Sequence, residues 1–433
     1  MMRLRFGSSL LRLSLVLAPA LLLAGCGGIP WFGKEKDPTP PSPLPPLAQE
    51  TRFDTLWSAR PTRGTEGRRL YLVPALAEGR LYVADARGRV VALAADSGRE
   101  LWQRDTGLAF SGGPDVAGER LVLGTSQGEL VALSTQDGHE LWRAQLGSEV
   151  LSVPRLGADG RVFVHTLDDS LHGLDAATGQ SQWRIDYPPP VLTLRGSSTP
   201  ALTENGIIVG LSGGKLVKLD PKDGLPIWEV TVSRPSGRSE LARIADIDAD
   251  PVVVGPTVYV GAYNGDLAAV DRELGEVLWR RELSAHAGLT ADDGGLYVTD
   301  SKDQVWGAEM ADGAGRWSQD QLRYRRLTAP ALLGERLLVG DFEGYLHLLD
   351  KRDGRLVGRM RLTKAGITAR PLVAGNRIYV YADDGTLAAL TLGATTTPPS
   401  APAAKTPPAP RTPAAESSSG TPPSDQTTTQ GKR

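Results

Sequence analysis

The chain predicts an all-β fold, an eight-bladed β-propeller of four-stranded antiparallel blades, and three observations carry that prediction. Seven tryptophans (Trp57, Trp102, Trp142, Trp183, Trp228, Trp279 and Trp317) recur at gaps of 45, 40, 41, 45, 51 and 38 residues. A period near forty marks a repeat architecture. Between the tryptophans, apolar runs of about five residues, rich in Val, Leu and Tyr, are bounded by Gly and Asp; no 3.6-residue period is sustained, so the runs read as strands. Finally, the array closes. The segment 371–391 supplies three strands and stops before any tryptophan, and 53–59 is a lone strand carrying Trp57. Together these two ends complete one blade. Closure removes the sheet edges that a linear array would expose.

In chain order, residues 1–25 read as a targeting segment: Arg3 and Arg5, then the apolar core LSLVLAPALLLA, too short to span a bilayer. The sequence Leu23-Ala24-Gly25-Cys26 resembles a bacterial lipoprotein signal. That resemblance implies diacylglycerol on the Cys26 thiol, cleavage before Cys26 and acylation of the new amine. Three acyl chains exceed what stable anchoring requires. Gly27, where Asp would resemble an inner-membrane retention signal, favours the outer membrane, with the folded part in the periplasm. Residues 26–50 are a Pro-rich linker with a polyproline-like reach of roughly 70 Å, enough to hold the propeller near the membrane without its having to touch the membrane. Residues 51–393 are the propeller. Residues 394–433, rich in Pro, Thr and Ser, read as a disordered tail.

Within a unit, Gly88, Gly128, Gly265, Gly344 and Gly385 fall between second and third strands, where a hairpin needs positive φ. Gly98, Gly138, Gly179, Gly224, Gly275, Gly313 and Gly354 do the same before the fourth strand. The tryptophans read as wedges between neighbouring blades, since a ligand site has no use for seven copies. The seventh complete unit carries Val357-Gly358 where a tryptophan is expected, which predicts a poorly packed seam.

Catalytic chemistry finds little support. Cys26 is the one cysteine, so the folded part has no disulfide, thiol nucleophile or thiolate metal site. The histidines (His139, His165, His172, His286 and His347) show no metal-ligand spacing. Asp96, Asp137, Asp175, Asp220, Asp271 and Asp353 sit at repeat turns, where local backbone bonding explains them. A net charge of −2 argues against a nucleic-acid face. No cofactor or metal is expected.

The long gaps locate the candidate site. The extra residues fall at 60–70, 187–198 and 233–250, all between the last strand of one blade and the first of the next, hence on one face. Val191-Leu192-Thr193-Leu194-Arg195 is apolar and β-prone with a cation; Ile244-Ala245-Asp246-Ile247-Asp248 is apolar and acidic. Side by side they would offer a protein partner apolar contact and charges of both signs. In the alternative, Leu192 and Leu194 turn inward and Arg195 pairs internally with Asp246 or Asp248.

The repeat, GxLxALDxxTGxxxW in outline, resembles that named for pyrroloquinoline quinone enzymes, which raises a periplasmic quinone- or sugar-binding enzyme as the alternative function. Those enzymes use adjacent cysteines that this chain lacks. The lipoprotein signal, Pro-rich tether, eight such units, VLTLRG and DIDADPVV together resemble the BamB family, the lipoproteins of the outer-membrane β-barrel assembly machinery. The resemblance covers about residues 1–391. It implies a non-enzymatic scaffold that binds the periplasmic POTRA domains of the barrel subunit BamA, with unfolded barrel precursors as further candidate partners. It also implies that Leu192, Leu194, Arg195, Asp246 and Asp248 are partner-binding. The stretch before Asp246 matches less well.

Overall fold

A computed structural model describes residues 39–47, 50–234, 236, 238–285 and 287–393; the signal segment, Cys26 and the 394–433 tail lie outside them. Eight antiparallel sheets follow one another in chain order, each with four strands of the repeat. Blades 1–7 span Ala75–Asp105, Phe110–Gln145, Arg155–Asp186, Ala201–Thr231, Val252–Glu282, Gly288–Gln319 and Ala331–Arg361. Blade 8 takes three strands from Leu372–Leu392 and its outermost from Phe53–Ala59. That terminal strand pairs from Phe53 with Leu392 to Ala59 with Leu387. First strands of neighbouring blades lie side by side around the axis. Blade 2 also carries an inner addition: Tyr71–Leu72 pairs in parallel with Gly112–Gly113.

The second and third strands of each blade are buried on both faces, as in Arg89–Ala94 and Glu129–Ser134. Their apolar residues form clusters between adjacent sheets rather than one central core. This explains why those strands read as continuous apolar runs.

The seven tryptophans lock successive blades. Each sits on an outermost strand, and its indole N–H donates to a backbone carbonyl of the next blade, of Ala95, Thr135, Ala176, Pro221, Arg272, Met310 and Lys351 in turn, at 2.9–3.1 Å. The ring lies against the turn glycine of that blade. A Cβ on Gly98 would meet the Trp57 ring at 2.5 Å, and the glycine holds φ +69° besides. Both constraints require glycine there. One turn departs from expectation: in blade 5 the left-handed position falls on Asn264 (φ 47°), next to Gly265.

The seam without a tryptophan is not loose. Blade 8 takes its outermost strand from the other end of the chain, so no turn joins its third and outermost strands. The linker fills the place. The amides of Glu50 and Thr51 both donate to the Val357 carbonyl at 3.0 and 3.1 Å. A Cβ on Gly358 would come within 2.7 Å of the Thr51 carbonyl oxygen. Val357 is fully buried.

This part of the linker also lies against the propeller. Ser42 N–H donates to Arg323 O at 2.9 Å, and the guanidinium groups of Arg325 and Arg359 donate to the carbonyls of Ser42 and Pro45, each at 3.0 Å. Arg355 pairs with Glu50, and Leu44 and Leu47 pack against a cluster that includes Trp317, Leu322 and Leu356. Proline-rich composition reads as an extended spacer, yet an extended chain exposes carbonyls, and Arg325 just before blade 7 and Arg359 within it meet them.

Candidate functional site

Each outermost strand ends on the face where the next blade begins, so 60–70, 187–198 and 233–250 emerge together, as expected. They also converge. The Arg195 guanidinium donates to Arg69 O and to the Glu149 carboxylate, both at 2.6 Å. Thus one side chain bridges three connections, with Glu149 on the one between blades 2 and 3. In the alternative reading Arg195 pairs with Asp246 or Asp248; its carboxylate partner is Glu149 instead.

Asp246 is the link between the two candidate loops. It is 1% exposed. One carboxylate oxygen accepts the Leu194 N–H at 2.7 Å and the other the Gly213 N–H at 2.9 Å. Burial raises its pKa, and the two amides oppose that shift. Beneath lies a second set of ties. Asp169 accepts from the Ser212 amide at 3.3 Å and faces His165 Nε2 at 3.1 Å, while His165 Nδ1 faces the Ser198 carbonyl at 3.1 Å. Asp248 packs against Gly196. Burial first, then the nearby Asp246 charge, pushes its carboxyl up to about 7.

Asp246 therefore meets the loop's own amides, not solvent, and Asp248 is mostly covered. The apolar residues divide. Leu192 is 42% exposed, Leu194 is half-buried, and Arg195 lies exposed over its two internal partners. The β-prone run 191–195 forms no strand, and its Leu194 amide goes to Asp246 instead of a neighbouring strand. Cys26 lies outside the described residues. Sequence reasoning missed Glu149, whose connection has ordinary length and gives no signal.

The central channel is crossed near this face. Tyr71, leading into blade 1, donates its hydroxyl to Asp250 of the opposite side at 2.8 Å, and Asp250 accepts the Thr199 amide at 2.6 Å. Burial is the main cause holding the Tyr71 hydroxyl well above its usual pKa. Arg370 donates to Thr290 Oγ1 at 2.9 Å. No cluster of three or more His, Cys, Asp or Glu side chains suited to a metal occurs among the described residues.

Comparison with known proteins agrees with this architecture. A family model described as outer membrane protein assembly factor BamB matches residues 54–106, 86–319 and 323–397. The protein of that name from Alkalilimnicola ehrlichii is 41% identical over 381 residues, covering 88% of this chain and 97% of its own. The Pseudomonas aeruginosa protein is 39% identical over 377 residues, covering 87% and 98%. The crystal structure of BamB from Moraxella catarrhalis superposes with a TM-score of 0.71 at 27% identity, covering 78% of this chain and 99% of that one. A quinohemoprotein alcohol dehydrogenase from Comamonas testosteroni, at 13% identity and a TM-score of 0.64, shares the fold alone. Matched by the family model along almost the whole propeller, and by relatives along nearly their full length, the chain belongs to the BamB family of outer-membrane protein assembly factors.

Proposed function

We propose that this chain is a non-enzymatic scaffold of the β-barrel assembly machinery, anchored by lipid on Cys26 to the periplasmic side of the outer membrane. It binds the POTRA domains of BamA and assists insertion of barrel proteins. The observation that carries this reading is the pair of long loops fastened by Asp246, which present Leu192, Leu194 and Arg195 on one face. Leu192 and Leu194 supply apolar contact. Arg195 supplies a charge that a partner carboxylate can take over from Glu149. Asp246 acts through the loop backbone, accepting the Leu194 and Gly213 amides, and Asp248 packs against Gly196 beside the contact residues.

Affinity capture from membranes tests this. Wild type should recover a large outer-membrane barrel protein, and the triple variant Leu192→Ala, Leu194→Ala, Arg195→Ala should not. Recovery by both would keep the partner and move the site. Recovery by neither would return attention to the channel. In the same fractions, Cys26→Ser should leave the membrane pellet; a variant that stays membrane-bound at high salt would refute the lipid anchor.

A further inference from the structure

We infer that blade 1 carries a binding site for a phosphate group, built from Arg63, Arg87 and Arg89. Together with Asp85 and Asp105 these three line one open hollow of about 220 Å³. The site is separate from the two long loops proposed to meet BamA. Its signal is a departure from the repeat. The turn between the second and third strands of blade 1 reads Asp85-Ala86-Arg87-Gly88-Arg89. No other blade has two cations at the positions of Arg87 and Arg89; blades 2, 6 and 7, for instance, have Gln127 and Glu129, Lys302 and Gln304, and Glu343 and Tyr345.

Asp85 organises the three arginines. It is 1% exposed and accepts three backbone amides: those of Arg87 and Arg89 on one oxygen, at 2.9 and 3.0 Å, and that of Arg63 on the other, at 3.1 Å. A turn aspartate that accepts the amides two and four residues on recurs at Asp300 and Asp341, so that half belongs to the repeat. The Arg63 amide is what blade 1 adds. In blade 7 the second oxygen of Asp341 takes the Arg325 guanidinium and His347. In blade 1 the second oxygen of Asp85 takes backbone, which leaves the guanidinium groups to the hollow. The connection bearing Arg63 is equally fixed. Thr62 Oγ1 lies 2.6 Å from the Tyr381 hydroxyl, the Thr65 amide donates to Asp383 O at 3.0 Å, and the Ala86 amide donates to Gly64 O at 3.0 Å. The three backbones are therefore ordered before any ligand arrives, which lowers the ordering cost of binding.

The charges around the hollow leave a cationic surplus. Asp85 is buried and engaged by its three amides. Arg89 bonds Asp105 twice, at 2.9 and 3.3 Å, and Arg87 pairs with Glu66 at 2.6 Å, with Arg68 3.9 Å from the same carboxylate. On the blade 8 side Arg60 pairs with Asp384, and Asp383 accepts the Thr368 hydroxyl. The connection into blade 2, residues 106–109, carries no charge, and further along the face Arg195 pairs with Glu149. Arg63, Arg69 and Lys364 remain. All three are exposed, and among the described residues their side chains have no carboxylate partner. Hydrogen bonds from Arg87 and Arg89 hold Glu66 and Asp105 below the ordinary carboxylate range, and the Arg63 charge adds to both without bonding either. No apolar side chain lines the hollow, so a ligand is held by its charged group alone. Arginines entering from three backbone points suit a tetrahedral phosphate, which offers acceptors in several directions, whereas a carboxylate uses one fork. An incoming phosphate takes Arg63 outright and shares Arg87 and Arg89 with Glu66 and Asp105, surface pairs that are weak to begin with.

Two sources offer that group: a phospholipid headgroup and free phosphate. Inorganic phosphate added to the full chain at constant ionic strength should raise the melting temperature of wild type. Vesicles of phosphatidylcholine with phosphatidylglycerol, tested on a Cys26→Ser background against phosphatidylcholine alone, supply the lipid arm. The double variant Arg63→Gln, Arg87→Gln should melt as wild type does without ligand and bind about tenfold more weakly in whichever arm responds. Should that variant be unstable, Arg63→Gln alone, which removes a guanidinium that bonds nothing in the fold, should still lose affinity. The charge-matched control Arg99→Gln, Lys222→Gln, two exposed cations outside the hollow, should bind as wild type does. A response to inorganic phosphate alone assigns free phosphate; a response to the anionic vesicles, with or without inorganic phosphate, assigns the headgroup. No response in either arm, or equal losses in the variant and the control, would overturn the site. So would a double variant that loses BamA affinity while wild type ignores both phosphate sources, which would make the hollow a protein contact.

Discussion

Removing the Asp246 carboxylate leaves two buried amides, of Leu194 and Gly213, without acceptors. Asp246→Ala should cost about 2 kcal/mol or more and weaken partner binding, although Asp246 is covered. Hydrogen exchange should find both amides newly labile; unchanged protection would mean that other contacts fix the loop. Asp248 carries a pH signature. Its folded pKa of about 7 lies above the ordinary aspartate value, so between those limits the folded chain holds a proton that the unfolded chain has released. Stability from this group falls as pH rises through that window. Asp248→Asn should exceed wild type in stability at pH 8, by on the order of 2–4 kcal/mol, with the gap closing toward pH 4. His172 acts with opposite sign: burial lowers its pKa to about 4, so its contribution is lost as pH falls below its ordinary value. Comparing variants at each pH separates the two. At this scale the sequence was half legible. The composition of both loops marks them, but Arg195 takes its carboxylate from 46 residues away, and no spacing rule points to Glu149.

Among the structural elements, the outermost strand with its tryptophan is the most legible, since its pattern repeats and each copy solves the same packing problem. Trp142→Ala should cost about 3–5 kcal/mol. Trp142→Phe, which keeps most of the bulk and loses the indole donor to Ala176, should cost less. Denaturation curves of the two separate wedge from hydrogen bond. The docking of the linker was not legible for a physical reason: strand and helix periods betray side-chain burial, whereas residues 42–47, 50 and 51 dock largely through carbonyls and amides that every residue carries. Gly358→Trp should not repair the repeat. Its side chain would collide with the Thr51 carbonyl, lower the melting temperature and expose residues 39–47 to protease. A variant as stable as wild type would show that the linker merely rests there.

For the whole molecule, the eightfold ring, the closure by both chain ends and the single loop-bearing face all follow from the repeat length and where it is exceeded. The occupied channel does not, because Tyr71 and Asp250 lie far apart in sequence and meet only across the axis. That crossing bears on the enzyme alternative. Pyrroloquinoline quinone with calcium should leave the melting temperature unchanged; a ligand-dependent rise would restore the alternative. The missing tryptophan has a mechanical consequence. Seven of the joints are wedges, while the eighth is a lashing made by the very segment that leads to Cys26. A pull on the proposed lipid anchor would therefore load the ties at Ser42, Pro45 and Glu50 before it loads the terminal strand of blade 8. The lashing would yield as a fuse does: tension on the tether peels it stepwise, while the hydrogen-bonded ring behind it stays shut.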